Sequence, residues 1–356
     1  MSMTSTDAGT TTEGVEHETM RRVTVYSDRI DLTNVERPVP RPGEVLVQST
    51  VIGVCGSDTH AAAGHHPFIN LPYYPGHEAV GVVRELADDA DTDLAVGDRV
   101  LVEPTLPCWH CKMCLNGNSN LCENLRFFGC VYEQGGMADY FTIPANRLHK
   151  VPDDLTDDQA VLIEPLSTPV HAVRLSGGVA GKTVVIIGSG TIGLLVLAAA
   201  RHDGARRIVM TDPLPGKREQ ALRLGADAAV DATAPDAADQ IRSQLGESAD
   251  VVFDCVAIQP TVDQAIRLAF KGGVVMIVGV PARPVTVPLP EIQDLQIRVQ
   301  GSATYLPADY EIATDIVRAG EVRPEDFITA RYDLDDVASA YAAAVSGEQI
   351  KVVVTV

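Results

Sequence analysis

Two rhythms of apolar residues divide the sequence. From Arg21 to about Pro152, short apolar or alternating runs such as EVLVQSTVIGV, AVGVVREL and DRVLVEP are broken by Gly, Pro and Asp. This pattern predicts a β-rich, barrel-like domain. From about Lys182, strand-like runs alternate with helical ones, as in TVVIIG before TIGLLVLAAARHDG, which predicts a parallel sheet with helices on both faces. From about Ala303 this alternation breaks down, so the C-terminal segment is expected to return to the first domain.

The chain length predicts the number of domains, and the longest apolar run shows whether a membrane span is expected. A chain of 356 residues is long for one hydrophobic core, so two domains are expected. The run VVIIGSGTIGLLVLAAA (184–200) is short for a membrane span and carries three glycines near its start. It is interpreted as a buried strand entering a helix, and no membrane association is expected.

The net charge limits the kinds of partner that are expected, and residues 1–19 bear on the cellular location. The net charge of −20 argues against nucleic acid or an anionic membrane as a partner. Six lysines against 22 arginines fit either a high-salt cytoplasm or a solvated acidic surface in an Arg-rich proteome. Residues 1–19 are polar and Thr-rich, which predicts a disordered tail and no secretory signal, with Met20 as an alternative start. A cytoplasmic location follows, where thiols stay reduced.

A cluster of cysteines gives the most conspicuous motif. The stretch PCWHCKMCLNGNSNLC has the spacing C-x2-C-x2-C-x7-C. Two disulfides suit a reducing compartment poorly, and a Cys-x-x-Cys redox pair would be expected in a thioredoxin-like unit that is missing here. Four sulfurs fill a tetrahedral site, so a structural zinc is predicted in a lobe at about 104–124. Its ligands are Cys108, Cys111, Cys114 and Cys122, while Trp109 and His110 are assigned to packing and Cys130 and Cys255 to unpaired positions.

A glycine fingerprint follows the first strand of the second domain. VVIIGSGTIG places Gly188, Gly190 and Gly193 in the pattern G-x-G-x-x-G, directly after a strand and at the opening of a helix. Such a turn lets the backbone and the helix N-terminus approach a pyrophosphate. Asp212 ends the next strand, nineteen residues after Gly193, where an acid would hold the ribose hydroxyls. NAD is favoured over NADP because this carboxylate would repel a 2′-phosphate, although Lys217 lies nearby.

Two further stretches are rich in metal-ligating groups. GVCGSDTH contains Cys55, PGHEAVG contains His77, and VLIEPLS contains Glu164 in an apolar context. A Cys, a His and a carboxylate can form a three-ligand zinc site with one open position, as catalysis requires. Their long spacing leaves a second interpretation open, in which each is an ordinary buried residue.

The ordered motifs resemble a known family. GVCGSDTH, GHEAVG, VGDRV, the four-Cys lobe, EPLS and the glycine fingerprint closely resemble the zinc-dependent medium-chain dehydrogenase/reductase superfamily, most of all its sorbitol/polyol and 2,3-butanediol dehydrogenase branch. The resemblance covers Met20 to Val356. It implies an α/β fold with a GroES-like β-rich catalytic domain (20–173 and 305–356) and a Rossmann doubly wound NAD-binding domain (174–304).

The resemblance also implies site residues. The catalytic zinc would be bound by Cys55, His77 and an acidic residue, which is Glu78 in the polyol branch, while Glu164 lies beside the metal or ligates it in some states. A proton relay would use Ser57 and His60. The cofactor contacts would come from Ile192, Asp212 and Lys217 on the adenosine side, and from the backbone of Val278–Val280 and Ser302–Ala303 on the nicotinamide side.

The implied activity is oxidation of a secondary hydroxyl of a polyol or vicinal diol by NAD, giving a ketose or hydroxyketone, with two zinc ions per chain. Sorbitol dehydrogenases often carry an Arg–Tyr pair where this chain has Thr304 before Tyr305, so a shorter polyol or a diol is at least as good a substrate. L-Threonine 3-dehydrogenase, aldose dehydrogenase, a metal-free quinone-type reductase and a non-enzymatic NAD- and zinc-binding protein are the alternatives. A homotetramer or homodimer is implied.

Overall fold

The computed structural model describes residues 18–356. The predicted N-terminal tail therefore lies outside the described residues except for its last two positions, and Thr19 begins the first strand. No helix within this range is long and apolar enough to cross a membrane.

The N-terminal part is rich in β-structure, as the alternating pattern predicts. Its strands are β1 (Thr19–Val25), β2 (Ile30–Glu36), β3 (Glu44–Val54), β4 (Glu78–Leu86), β5 (Arg99–Val102), β6 (Thr105–Leu106), β7 (Arg126–Phe127), β8 (Tyr140–Pro144) and β9 (Leu148–Lys150). Its helices are α1 (Gly56–Ala62), α2 (Lys112–Leu115), α3 (Asp157–Ala160) and α4 (Ile163–Leu175).

A doubly wound parallel sheet forms the second part. It comprises β10 (Thr183–Ile187), α5 (Thr191–His202), β11 (Arg207–Asp212), α6 (Pro215–Arg223), β12 (Ala228–Asp231), α7 (Ala237–Leu245), β13 (Ala249–Asp254), α8 (Gln259–Leu268), β14 (Ala269–Ile277), α9 (Leu289–Asp294) and β15 (Arg298–Gly301). The order β12-β11-β10-β13-β14-β15 reverses direction next to β10. Ligands of such sheets bind at the carboxyl ends of the strands beside this reversal. The predicted α/β class is confirmed.

The C-terminal segment returns to the first sheet. It contains α10 (Pro307–Arg318), α11 (Pro324–Phe327), β16 (Ile328–Asp333), α12 (Val337–Val345) and β17 (Lys351–Thr355). Strand β17 pairs antiparallel with β3, so the first sheet runs β16-β17-β3-β4-β5-β9, with β8 also paired to β3. This return places the last strand of the chain against the strand that leads to Cys55.

The hydrophobic core joins the two parts. One cluster combines Leu166 and Val170 of α4 with Leu194 of α5, Ile316 of α10 and Val80 of β4. Helix α4 lies in the middle of this cluster, and it carries Glu164 in its first turn. The core therefore fixes Glu164 relative to both sheets.

Candidate active site and metal centres

The end of β3 and the start of β4 bring three metal-ligating side chains together. The strands are antiparallel neighbours with Gly53 opposite Glu78. Cys55 follows β3 and His77 precedes β4, so both lie at the same end of the pair. One ligand atom from each of Cys55, His77 and Glu78 lies within 4.8 Å of the other two. Sulfur, nitrogen and oxygen donors at this separation fit a zinc ion that keeps an open coordination position.

Gly53 leaves the space that the Glu78 carboxylate occupies, and Lys351 balances the charge of that carboxylate. A Cβ at Gly53 would lie 1.8 Å from Oε2 of Glu78, so any side chain there would displace the carboxylate. Lys351, the first residue of β17, places Nζ 2.7 Å from both carboxylate oxygens, and both side chains are buried. Desolvation would lower the pKa of Lys351, but the charge and hydrogen bond of Glu78, together with the charges of Cys55 and Glu164, outweigh it and raise that pKa. No motif marks Lys351 in the sequence, where it is a lysine before an apolar strand.

Two buried groups flank the ring of His77. Its Nδ1 lies 3.6 Å from Sγ of Cys130 and 3.9 Å from Oδ1 of Asp58. Oδ2 of Asp58 also accepts a hydrogen bond of 3.0 Å from the backbone N–H of Cys55. Partners of this kind orient ligating residues, so Asp58 positions both Cys55 and His77. Sequence reasoning missed Asp58, although it stands within GVCGSDTH, and it assigned Cys130 no contact.

Glu164 lies near this group but is not one of the three mutually close ligands. It is buried, and its Oε1 accepts a hydrogen bond from the hydroxyl of Tyr305. Burial raises the pKa of its carboxyl to about 7; the charge of His77 opposes this shift and that of Glu78 adds to it. A carboxyl with this pKa can hold or release a proton near neutrality.

The two predicted relay residues lie on one short helix. Ser57 and His60 are three residues apart on α1, which starts directly after Cys55, and residues at this spacing share a helix face. Ser57 is half-buried and His60 is exposed. The pair therefore extends from beside a candidate zinc ligand to the solvent.

The four clustered cysteines converge as their spacing predicts. Sγ of Cys111 lies 3.5 Å from that of Cys114 and 3.9 Å from that of Cys122. Zinc–sulfur distances of about 2.3 Å in a tetrahedron give sulfur separations of roughly 3.8 Å. Backbone N–H groups, that of His110 foremost, lower the pKa of the Cys108 thiol to about 6, which favours the thiolate that metals bind. The seven cysteines, all within residues 18–356, form no disulfide.

The glycine fingerprint has the geometry that a dinucleotide needs. Gly188 follows β10 with φ 94°. A Cβ at Gly193 would lie 1.9 Å from the carbonyl oxygen of Gly188. A Cβ at Gly190 would meet nothing within 4 Å, so space is open in front of the N-terminus of α5. Asp212 ends β11, and its Oδ2 accepts a hydrogen bond of 2.9 Å from the backbone N–H of Ser189.

The other predicted cofactor contacts lie at the same edge of the sheet. Ile192 lies in the first turn of α5, Lys217 is half-buried on α6, Val278–Val280 follows β14, and Ser302–Ala303 follows β15. Val278 is buried, whereas Val280 is exposed. The hydroxyls of Ser189 and Ser302 are buried without a hydrogen-bond partner among the described residues. Unpaired buried hydroxyls beside an open glycine turn fit a polar ligand such as a dinucleotide.

Comparisons with known proteins agree with this arrangement. The alcohol dehydrogenase GroES-like domain matches residues 41–153, and the zinc-binding dehydrogenase family matches residues 191–319. D-xylulose reductase A of Aspergillus niger is 32% identical over 331 residues, covering 90% of this chain and 92% of that protein.

Solved structures give the same result. A protein of Sinorhizobium meliloti, assigned as a zinc-binding dehydrogenase and bound to NADP, has a TM-score of 0.89 and 34% identity, covering 95% of this chain and all of that one. The 2R,3R-butanediol dehydrogenase of Bacillus subtilis has a TM-score of 0.87 and 28% identity, covering 95% of this chain and 99% of that chain.

The fold and the site together define a metal-dependent dehydrogenase with a dinucleotide-binding domain. The chain belongs to the zinc-dependent medium-chain dehydrogenase family, as its motifs predict. Zinc and a nicotinamide dinucleotide, NAD or NADP, are the cofactors that this membership supports.

Proposed function

We propose that this protein is a zinc- and NAD-dependent dehydrogenase that oxidises a secondary hydroxyl of a small polyol or vicinal diol to the ketone. The observation that carries the proposal is the convergence of Cys55, His77 and Glu78 within 4.8 Å, in a protein that also has an open dinucleotide turn. A three-ligand site leaves a position for the substrate oxygen, whereas the four sulfurs of the lobe leave none.

The chemistry divides between the cofactors and the chain. When bound, zinc would supply Lewis acidity toward a substrate hydroxyl, and a nicotinamide ring would supply the hydride acceptor. Cys55, His77 and Glu78 hold the metal, and Lys351 balances the charge of Glu78. Oγ of Ser57 would take the proton that leaves the substrate hydroxyl while giving up its own, and His60 would carry that proton to the solvent, since the half-buried hydroxyl and the exposed ring share one face of α1.

NAD is the proposed cofactor. Asp212 is buried at the end of β11, where a carboxylate accepts hydrogen bonds from ribose hydroxyls and repels a 2′-phosphate. Guanidinium N–H groups of the nearby Arg218 donate to the backbone carbonyls of Asp212 and Pro213. The Sinorhizobium relative is bound to NADP, so kcat/KM with each dinucleotide should be compared directly. A preference for NADP would contradict this assignment.

The proposed substrate class rests on the names of the relatives and on one position, Thr304, at which the chain departs from the Arg–Tyr pair of sorbitol dehydrogenases. The named relatives act on D-xylulose and on 2R,3R-butanediol, so a small polyol or diol is the expected substrate. Thr304 precedes Tyr305, and Tyr305 itself donates to Glu164, so this segment offers no guanidinium to the distal hydroxyls of a longer polyol.

The test is an initial-rate survey of NADH formation. Polyols of increasing length, vicinal diols, L-threonine, aldoses and primary alcohols should be compared at one pH. Highest kcat/KM with a short polyol or diol supports the proposal. Highest kcat/KM with threonine or an aldose would move the enzyme to another branch, and no turnover with any alcohol despite dinucleotide binding would favour a non-enzymatic role.

The assembly and location are part of the proposal. Strand β15 is the edge of the parallel sheet, and Val299 within it is exposed, as is Leu289 on α9. An unpaired sheet edge can pair with a strand of another chain, which supports a homodimer or homotetramer; light scattering would measure the oligomeric state. A cytoplasmic location agrees with seven unpaired cysteines.

A further inference from the structure

A buried amide links the tetracysteine lobe to α4 and to the segment after β15. Asn120 lies two positions before Cys122 and is buried. Its Nδ2 donates a hydrogen bond of 3.0 Å to the carbonyl oxygen of Ala303 and lies 3.4 Å from Nε2 of His171. One side chain of the lobe thus contacts both α4 and the segment after β15.

His171 is itself held by a buried carboxylate. Its Nδ1 donates to Oδ2 of Asp309 at 2.8 Å, and Asp309 also accepts from the backbone N–H of Leu306 and from Arg174. Burial would raise the pKa of Asp309, but the hydrogen bonds from His171, Leu306 and Arg174 and the charge of His171 together outweigh it and lower that pKa. In the neutral imidazole whose Nδ1 donates, Nε2 is an acceptor, and it faces the second N–H of the Asn120 amide at 3.4 Å. One N–H of the Asn120 amide therefore points at the carbonyl oxygen of Ala303, and the other points at Nε2 of His171.

The segment that Asn120 contacts has an unusual conformation. Thr304 has φ 48°, a left-handed geometry that a β-branched residue keeps only when its surroundings enforce it. The hydroxyls of Ser302 and Thr304 are buried and unpartnered among residues 18–356. The Asn120 amide holds the carbonyl group between these two residues, at the place proposed for the nicotinamide half of the cofactor.

We propose that Asn120 is a positioning residue that couples the metal of the tetracysteine lobe to the nicotinamide-side backbone. This inference rests on the proposed function, because it requires NAD to bind along Ser302–Ala303. A lobe folded around its metal holds Asn120 against Ala303 and keeps the segment in its binding conformation. Coupling between two sites is reciprocal, so bound NAD must also make the lobe retain its metal more firmly.

The chain supplies its own reporter for this coupling. Its single tryptophan, Trp109, lies between the first two lobe cysteines, so its fluorescence reports on the lobe. NAD⁺ is the suitable ligand because it does not absorb where tryptophan emits. The zinc-loaded protein is mixed with a chromophoric chelator, and zinc release in the phase that changes Trp109 emission is timed with and without saturating NAD⁺.

Four proteins are compared: wild type, Asn120→Ala, Asn120→Asp and Asn116→Ala. Asn120→Asp keeps the size of the side chain but removes the donor to Ala303. Asn116 is exposed in the same lobe and makes no side-chain hydrogen bond within the described range, so it is the matched control. Calorimetry measures NAD⁺ affinity separately in each protein.

NAD⁺ should slow lobe zinc release roughly 5-fold or more in the wild type and in Asn116→Ala. In both Asn120 variants this protection should disappear, and the NAD⁺ dissociation constant should rise roughly 3- to 10-fold. Unchanged protection in Asn120→Asp, or its loss in Asn116→Ala, overturns the coupling while leaving the proposed function intact. Failure of the wild type to bind NAD⁺ overturns both.

Discussion

The two candidate metal sites are built from opposite extremes of sequence separation. The tetracysteine lobe takes all its ligands from 107–122, around a four-residue helix and turns. The other site takes Cys55 and His77 from the ends of two different strands, and the lysine that balances Glu78 comes from the last strand of the chain. One site is fixed by local spacing and the other by sheet register.

This difference in construction matches a difference in chemistry. Local spacing suits a closed site, because four thiolates within one loop can surround a metal with little help from the rest of the fold. A catalytic site needs an open position, a charge balance and neighbouring groups, and these come from several elements. The lobe should therefore govern stability and cofactor placement, while the Cys55 site governs bond making and breaking.

The largest effect is expected from a catalytic ligand. His77→Ala should lose one zinc of two and lower kcat/KM roughly 1000-fold, because several kcal/mol of transition-state stabilisation by the metal disappear. Lobe zinc and Trp109 emission should be unchanged. Metal analysis and initial rates measure this, and substantial turnover by a one-zinc protein would refute the assignment of this site.

The buried ion pair gives the next effect. Lys351→Met leaves the Glu78 carboxylate buried without its partner, which should reduce the free energy of unfolding by roughly 3–5 kcal/mol in urea titrations. Replacing Glu78 by Gln in the same chain should recover part of that loss. Lys271→Met is the control, since Lys271 is exposed and makes no ion pair among the described residues. Equal stability of the two lysine variants would show that the pair is unimportant.

Register is tested by two glycines of one motif. Gly53→Ala should push Glu78 aside, since its Cβ would lie 1.8 Å from Oε2, and weaken zinc binding at that site roughly 10- to 100-fold. Gly56→Ala should retain its zinc, because a Cβ there meets nothing within 4 Å. Competition with a chelator measures both, and similar zinc affinity in the two variants would contradict the role given to Gly53.

The proton relay gives the smallest effect. His60→Ala should lower kcat roughly 10-fold, less than a buried acid–base group would, because water reaches the exposed position. Added imidazole should restore part of the rate, whereas His65→Ala, an exposed neighbour, should behave as the wild type. An unaffected kcat in His60→Ala would remove this residue from the relay.

The sequence predicted the features that lie within short windows, but not the contacts between residues far apart in the chain. The fingerprint glycines, the lobe cysteines and both sheets follow from spacing and periodicity within short windows. Lys351 lies in ordinary strand sequence, and Asp309 lies in ordinary helical sequence. Only the return of the C-terminal segment brings Lys351 to β3 and Asp309 to α4. Cys130 carries no motif, yet it contacts His77. Such contacts depend on register and packing, which a single sequence does not encode in adjacent positions.

The most direct test of this division of labour is Cys111→Ser, in which zinc content, melting temperature and kcat are measured on one preparation. Rates are taken at saturating NAD, well below the lowered melting temperature. The variant should hold about one zinc per chain and unfold at a lower temperature, with kcat per chain close to that of the wild type. A variant that keeps its melting temperature but loses kcat would contradict the account, because the lobe would then contain the catalytic metal.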